Sequence, residues 1–591
     1  MIRGAAAALV GSIAVLLAWL GLRAQTERAD FVVASDEEPR TIDPHRVSLL
    51  GEIQIANACW EGLTRLNPET FLPEPAVAER WDFDAETLTY VFHLRESARW
   101  SNGEPLTAEH FRYSWLRSLD PRLGGQYYAL LLTLRGAAEY YQSRVNDDPS
   151  DDLSATTVGV EAVGDRTLRV VLARPCAYFL DLTSFATLYP VYPPGIERWR
   201  GADGRIPLRQ AHLWTRPEHI VCNGAFVPER WEFKKRVLLR ANGHYWDSAS
   251  IGVKSIEFYS AADANAALLA YETGRVDFVR SIPKTTARAL FADQQAGRRS
   301  DLHSGPRFAT FFFRVNCSRP PLDDAELRKA LWLAIDRETL AEKVMGMGEQ
   351  PAYTYVPKAS VPDMPRRLAD GRTILYQPPA GLGAGLTVPE REALARAHLA
   401  RSRYGQSGAQ RPIEIMYAPF PDYQRVAESV QSMWERVLKI PVALRVQEAK
   451  VLSSEVRNLR YDVVRSDWYG DYMDPGTFLD MFSTGNGQNR TGWSHARYDE
   501  LVAAAAEERD DERRYALFAE AERILCEEQA PIIPLFVRSG AFLLNPGFEG
   551  LRDNVQESFP VHRVRRGGVP QPRRPRRARR VLGAIGRGVT L

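Results

Sequence analysis

Hydrophobic and polar positions along this chain follow two periods, and the switching between them is its first structural signal. In Thr87–Leu94 the residues Leu88, Tyr90, Phe92 and Leu94 fall on one face at period two, which predicts a half-buried strand. The polar turn Ser101-Asn102-Gly103-Glu104-Pro105 follows, and Thr107 is placed to cap a helix whose Phe111, Trp115 and Leu119 recur every four residues. Asp323 and Asp324 predict the start of a helix carrying Leu327, Ala330, Leu331, Ala334 and Ile335, and Thr387 with Glu390 makes a capping-box pattern before Ala393–Ala400. Tyr498–Glu528 reads as an amphipathic helical region with its charges outward, and Phe311-Phe312-Phe313 as a buried strand. Short strands alternating with helices predict α/β lobes rather than a sandwich or a bundle. The Gly- and Pro-containing stretch Gln377–Leu386 reads as a surface linker within a lobe.

One apolar run fits neither period. Ala5–Leu22 follows Met1-Ile2-Arg3 and precedes the polar segment Arg23–Asp30, the pattern of an export signal or membrane anchor. The run approaches the roughly 20 residues that span a bilayer, and Leu22-Arg23-Ala24 is a poor small-x-small cleavage site, so residues 1–24 fit a cleaved signal and a retained anchor alike. Arg3 before the run predicts a body outside the cytoplasm. The five cysteines, Cys59, Cys176, Cys222, Cys317 and Cys526, lie far from this boundary, which argues against a lipid anchor. Their spacing makes no zinc or redox motif, and leaves open one disulfide between an unspecified pair.

At 591 residues the chain predicts about three to four lobes, since a domain takes roughly 100 to 200 residues. With 45% hydrophobic and 25% charged residues it is ordinary globular protein. The formal charge of +2 conceals an asymmetry. Ten arginines between Arg563 and Arg587 stand in a stretch without Asp or Glu, and without them the rest carries about −8. An acidic body predicts no nucleic-acid partner. Residues 566–591 read as a basic, disordered tail, in which tandem arginines beside Pro572 and Pro575 suit contact with anionic lipid or envelope polymer.

Catalytic patterns are missing. No Walker A loop, no H-E-x-x-H and no G-x-S-x-G elbow occurs, and the ten histidines are scattered. Gly381-Leu382-Gly383-Ala384-Gly385 follows Pro378-Pro379 instead of a strand and lacks the dinucleotide-binding spacing. The expectation is a protein that is not an enzyme, with no cofactor and no metal.

A series of blocks, in order, carries a family resemblance: Thr41-Ile42-Asp43-Pro44-His45; Trp60-Glu61-Gly62-Leu63; Val77-Ala78-Glu79-Arg80-Trp81 into Tyr90–Arg95; Ala98–Ala108 with Phe111 and Tyr113-Ser114-Trp115; Asn223-Gly224-Ala225-Phe226; Tyr245-Trp246-Asp247; Leu327–Leu331; Ala334-Ile335-Asp336-Arg337; and Pro351–Tyr355. Together they resemble the bacterial family 5 extracellular solute-binding proteins, and among these the oligopeptide-binding members of peptide ABC importers. The resemblance implies a periplasmic-binding-protein-like α/β fold of type II, cluster C: two α/β lobes with a hinge, plus an additional domain. The expected division is lobe I at 25–60, 187–306 and 538–565, the additional domain at 61–186, and lobe II at 307–537. It implies a monomer in the periplasm or on the outer face of the cytoplasmic membrane. Its partners are an oligopeptide and the membrane permease subunits that receive it. A non-peptide solute (metal chelate, opine or sugar) on the same fold, or an envelope-tethered peptide sensor, are the alternatives.

Arg465-Ser466-Asp467-Trp468-Tyr469-Gly470-Asp471-Tyr472-Met473-Asp474-Pro475 is the most informative segment. A receptor for many peptides must fix what all share, the α-ammonium and the backbone. The resemblance places Asp471 at the ammonium and the Trp468-Tyr469-Gly470 backbone along the extended peptide, an added-strand mode. From spacing alone, Asp471 is equally a cap for the turn before Asp474-Pro475. Arg465 matches a pocket-lining arginine that meets a peptide carboxylate, and at the edge of a strand it stands equally where it can pair with Asp462 or Asp467. Tyr127 matches a pocket tyrosine after the Asp120-Pro121 turn, and Ser48 and Leu50 occupy an early loop that supplies backbone contacts. Departures from the oligopeptide-binding pattern are Ala449 for a tryptophan, Arg314 for a glutamate, and Arg307 and Arg280 near expected tyrosines. They predict a more basic pocket that favours acidic ligands.

Overall fold

The computed structural model describes residues 28–567 apart from 36–37, 147–149, 202–205, 208–209, 358–365, 368–370, 408–410 and 555–558. The leader expected at 1–24 and the tail beyond Gly567 lie outside the described residues. Among the described residues no helix is long and apolar enough to cross a membrane.

The alternating segment forms the strand Thr89–Leu94 with Tyr90, Phe92 and Leu94 buried. It begins two residues later than the periodicity predicts. Glu86–Leu88 belong to the preceding turn, where Asp84 Oδ1 accepts the Glu86 N–H at 2.9 Å and Leu88 takes a left-handed φ of 52°. The helix Ala108–Ser118 starts after Thr107, as expected. His110 Nδ1 accepts the Thr107 N–H and Trp100 Nε1–H, each at 3.1 Å, which ties the turn to the helix. Four strands, in the order Ala78–Asp84, Thr89–Leu94, Thr167–Val171, Val160–Ala162, make an antiparallel sheet under this helix.

Most other strands join one large sheet. Its order is Val442–Val446, Ile413–Tyr417, Val463–Tyr469, Leu302–Val315, Ile532–Leu544, Phe278–Val279, Phe31–Ser35, Ser255–Ser260, Arg236–Ala241, Phe226–Glu232, with Gln350–Pro351 also on Ile532–Leu544. Leu302–Val315 and Ile532–Leu544 are long and run across both halves of the molecule. Their antiparallel register slips between Pro306 and Thr310, so Leu302–Pro306 pairs with Ser539–Leu543 and Thr310–Arg314 with Ile532–Val537. Two large cores flank this slip. One gathers Phe31, Trp60, Phe92, Trp100, Trp115 and Phe226, and the other Phe311, Phe312, Phe313, Trp332, Trp434 and Phe478. The three consecutive phenylalanines are all buried, because both faces of that strand are covered.

Two helical expectations change in detail. The region Tyr498–Glu528 is not one helix but Ala496–Glu507 and Asp511–Arg523 with a wider turn over Ile524–Gln529. Asp510 causes the break, accepting the Arg513 N–H at 2.9 Å as a helix cap. The segment Gln377–Leu386 is no loose surface linker either. Gly381 donates its N–H to Glu527 at 2.9 Å, and Leu382 O accepts Trp332 Nε1–H at 2.9 Å, so the backbone is pinned to the body. The helix Ala325–Leu333 is capped by Asp324, and Val388–Arg401 follows the capping pair Thr387 and Glu390. All five cysteines are free, four of them buried, and Cys59 lies close to Cys222.

Candidate functional site

The strand Val463–Tyr469 pairs along one edge with Leu302–Val315, from Val463↔Val315 to Tyr469↔Ala309. On its other edge Ile413–Tyr417 pairs only at Val463 and Val464. From Arg465 to Tyr469, among the described residues, that second edge carries no strand. An unpaired edge is a template for an added extended chain.

The strand ends in a fixed ledge. Gly470 donates its N–H to Phe308 O at 2.8 Å. A Cβ at position 470 would lie 2.2 Å from the Phe308 ring, so only glycine lets the backbone approach so closely. Thr477 then holds both sides: its carbonyl accepts Trp468 Nε1–H at 2.8 Å and its hydroxyl accepts the Asp471 N–H at 3.1 Å. Asp471 is thereby fixed through its backbone while its side chain stays exposed. Among the described residues no hydrogen bond or ion pair engages its carboxylate. Nearby protein atoms still take away part of its hydration and push its pKa above the ordinary carboxylate value. A carboxylate left open, with no internal partner among the described residues, suits a cation brought by a ligand. The turn before Pro475 is capped by Asp474 instead, whose Oδ1 accepts the Gly476 N–H at 2.9 Å.

Other segments face this ledge. Burial, and then the nearby Asp471 carboxylate, push the half-buried Tyr127 phenol above its usual range. Tyr127 packs edge-on against Phe185 with ring centroids 5.1 Å apart. Tyr178 stacks on Tyr472, the neighbour of Asp471, with centroids 3.8 Å apart and planes 13° from parallel. The early loop reaches the same region indirectly: a Cβ at Gly125 would lie 2.5 Å from His45 O, so the two loops touch backbone to backbone. Glu52 shapes that loop by accepting the amides of Arg40, Ser48 and Leu49. Ser48 Oγ accepts from Arg40 Nη2 at 2.8 Å, and Leu50 is 51% exposed at a helix start. Ser48 and Leu50 therefore border the region without a hydrogen bond to Asp471.

Arg465 pairs with Asp467, one of its two expected acidic neighbours, at 3.1 Å, with its guanidinium 3.8 Å from the Tyr423 ring centroid. Asp462 is taken by Arg411. Two of the arginines expected to make the pocket basic do something else. Arg314 is buried and bonds Ser466 Oγ, Gln488 O and Met481 Sδ, and burial lowers its pKa. Arg307 is buried and bonds Asp553, Gly305 O, Pro306 O and Asn554 O. Both are correctly placed in their strands but point into protein, so they add no charge to a ligand. Arg280 is half-buried where the strand Phe278–Val279 ends, and Ala449 is exposed at the first turn of a helix.

Sequence reasoning missed Arg538, which donates to the second oxygen of Asp467 at 3.1 Å. It also missed Tyr178 and Thr477. Arg538 was findable: it is the one charge in the apolar run Ile532–Leu544.

Residues 73–490 match the family described as bacterial extracellular solute-binding proteins, family 5 Middle. The chain belongs to this family. It is 28% identical over 542 residues to the periplasmic murein peptide-binding protein MppA of Escherichia coli, covering 91% of this chain and 93% of that protein. The probable deoxycholate-binding periplasmic protein YgiS of Escherichia coli is 29% identical over 527 residues, covering 89% of each chain. The solved structure of the murein tripeptide-binding protein MppA in its unliganded open form superposes with a TM-score of 0.78 at 28% identity, covering 92% of this chain and 98% of that one. The family 5 fold is the two-lobed type II arrangement expected from the sequence blocks. Family 5 members are solute-binding proteins, and the relatives quoted are periplasmic.

Proposed function

We propose that this protein is the substrate-binding component of a peptide ABC importer, and that it captures extended oligopeptides. A peptide lies against the unpaired edge of Arg465–Tyr469 with its α-ammonium on Asp471, beside Tyr127 and with the Ser48–Leu50 loop at the rim. One lobe comprises 25–60, 187–306 and 538–565, the other 307–537, with 61–186 as the additional domain. The register slip between Pro306 and Thr310 is the place where two long strands can bend, and a ligand that touches both lobes stabilises the closed arrangement. The protein acts as a monomer outside the cytoplasmic membrane and delivers the peptide unchanged to a permease. The observation that carries this reading is the exposed carboxylate of Asp471, without a hydrogen-bond or ion-pair partner among the described residues, at the end of an open strand edge.

The deoxycholate-binding relative supports a second reading, in which the fold is kept and the ligand is not a peptide. An anionic ligand placed at Asp471 sets two like charges together, which disfavours it. Calorimetry with tri- to pentapeptides, their N-acetylated forms and deoxycholate decides between them. Tight binding of free peptides, lost on acetylation and in Asp471→Asn, is the expected result. Binding of deoxycholate alone would establish the second reading.

A further inference from the structure

The first and last described residues of the chain leave the body at one place. Asp30 accepts the Lys254 N–H at 2.9 Å through one oxygen and Arg566 Nη2 at 3.4 Å through the other. Its own N–H donates to Ser255 Oγ at 3.0 Å. On the C-terminal side, Arg565–Arg566 pairs antiparallel with Phe548–Glu549, and Gly567 donates its N–H to Gly547 O at 3.0 Å. Phe548 packs edge-on against Phe31, with ring centroids 4.9 Å apart. A Cβ at Gly252 would lie 2.5 Å from Val564 O, so the loop before Ser255–Ser260 and the C-terminal segment touch backbone to backbone. These contacts hold residues 28–30 and 563–567 on the same face.

The segments beyond that face are chemically opposite. Ala5–Leu22 is apolar, and Arg573, Arg574, Arg576, Arg577, Arg579 and Arg580 stand in a stretch without Asp or Glu. Six residues lie between Leu22 and Arg28 by position and six between Gly567 and Arg573, and six residues of chain reach at most about 22 Å. A leader inserted in a bilayer therefore brings the tandem arginines within reach of the same headgroups. Reach matters more than the number of charges, because attraction to an anionic surface fades over a Debye length, about 8 Å at physiological salt. The exit face suits the approach: Arg28, Lys254, Arg565 and Arg566 are exposed there, and the nearby acids Asp30 and Glu549 are paired with Arg566 and Arg565. The rest of the body is acidic and is repelled by an anionic surface, which favours this face toward it.

We propose that the shared exit face is a bilayer-docking surface, with the leader inserted and the arginines of 573–580 bound to anionic lipid headgroups. The inference goes beyond the peptide reading and does not rest on it. Guanidinium and phosphate match in a two-point contact, and the inserted leader raises the effective concentration of lipid around the tail. An apolar segment together with a polybasic one gives firmer attachment than either alone.

The test uses the full chain on vesicles of phosphatidylcholine, with and without phosphatidylglycerol. Trypsin cleavage at the tail arginines, followed by mass spectrometry, reads the lipid contact separately from insertion of the leader. Cleavage is expected to be tenfold or more slower on the phosphatidylglycerol vesicles, and raised salt should remove the protection. Acylation of Lys254, on the exit face, should slow relative to exposed Lys450 of the helix Ala449–Arg457. In a full chain with all six of these arginines changed to Gln, flotation with the two vesicle types should agree within about twofold, while the wild type favours phosphatidylglycerol. Equal tail cleavage on both vesicle types overturns the inference. So does protection by soluble polyphosphate with none by phosphatidylglycerol, which would make the tail a polymer contact. Equal labelling of Lys254 and Lys450 on the vesicles, or an exported protein found by mass spectrometry to lack residues 1–24, also overturns it.

Discussion

Two aspartates three residues apart show how one segment serves stability and recognition separately. Asp474 is completely buried and fully partnered: Arg514 grips both its oxygens, at 2.6 and 2.7 Å, and the Gly476 N–H completes the set. Asp471 is exposed, fixed only through its backbone, and its carboxylate has no such grip. Asp474 makes a structural joint between the turn and the helix Asp511–Arg523. Asp471 leaves its carboxylate open to a cation from outside. The difference teaches that charge and sequence neighbourhood do not distinguish a joint from a site. The distinguishing feature is whether the chain supplies the counter-charge.

The contrast can be broken from either side. Asp474→Ala leaves the Arg514 guanidinium buried without its partner and is expected to destabilise by about 3–5 kcal/mol, read as a lowered denaturant midpoint. Asp471→Asn is expected to weaken peptide binding by about 2–5 kcal/mol in calorimetry without lowering the ligand-free melting temperature. If Asp471→Asn melts as early as Asp474→Ala, the aspartates are not different in kind.

Acid sharpens the same comparison. The folded-state pKa of Asp471 is raised, so proton uptake favours the ligand-free folded protein, and this favourable contribution is lost as pH rises through that pKa. Binding has the opposite sign: the ammonium needs the ionised form, so affinity is lost as pH falls through the same raised pKa. Titrating peptide affinity from pH 7 downward checks this, and Asp471→Asn should flatten the profile. Two smaller effects follow. Gly470→Ala forces a methyl group against the Phe308 ring and is expected to cost about 1–3 kcal/mol of stability. Tyr178→Ala removes the stack on Tyr472 and is expected to cost about 0.5–1.5 kcal/mol beyond the lost burial, measured by a double-mutant cycle with Tyr472→Ala.

Local pattern determined much of this protein without any coordinates. Alternation marked the strand ending at Leu94, and Thr107, Asp324 and Thr387 marked helix starts, because period and capping are interactions within a few residues. The ordered blocks pointed to the two-lobed family 5 fold, and Asp471 stood out in the separate segment Arg465–Pro475. Tertiary structure alone decided which charges are spent internally. Arg314 and Arg307 read as pocket residues, yet the first bonds Gln488 O, 174 positions away, and the second bonds Asp553, 246 positions away. The pairing of Asp467 with Arg538 spans 71 positions and that of Arg514 with Asp474 spans 40. Whether a charged side chain is free for a ligand depends on what the folded chain brings within about 3 Å of it, and sequence separation carries no record of that distance.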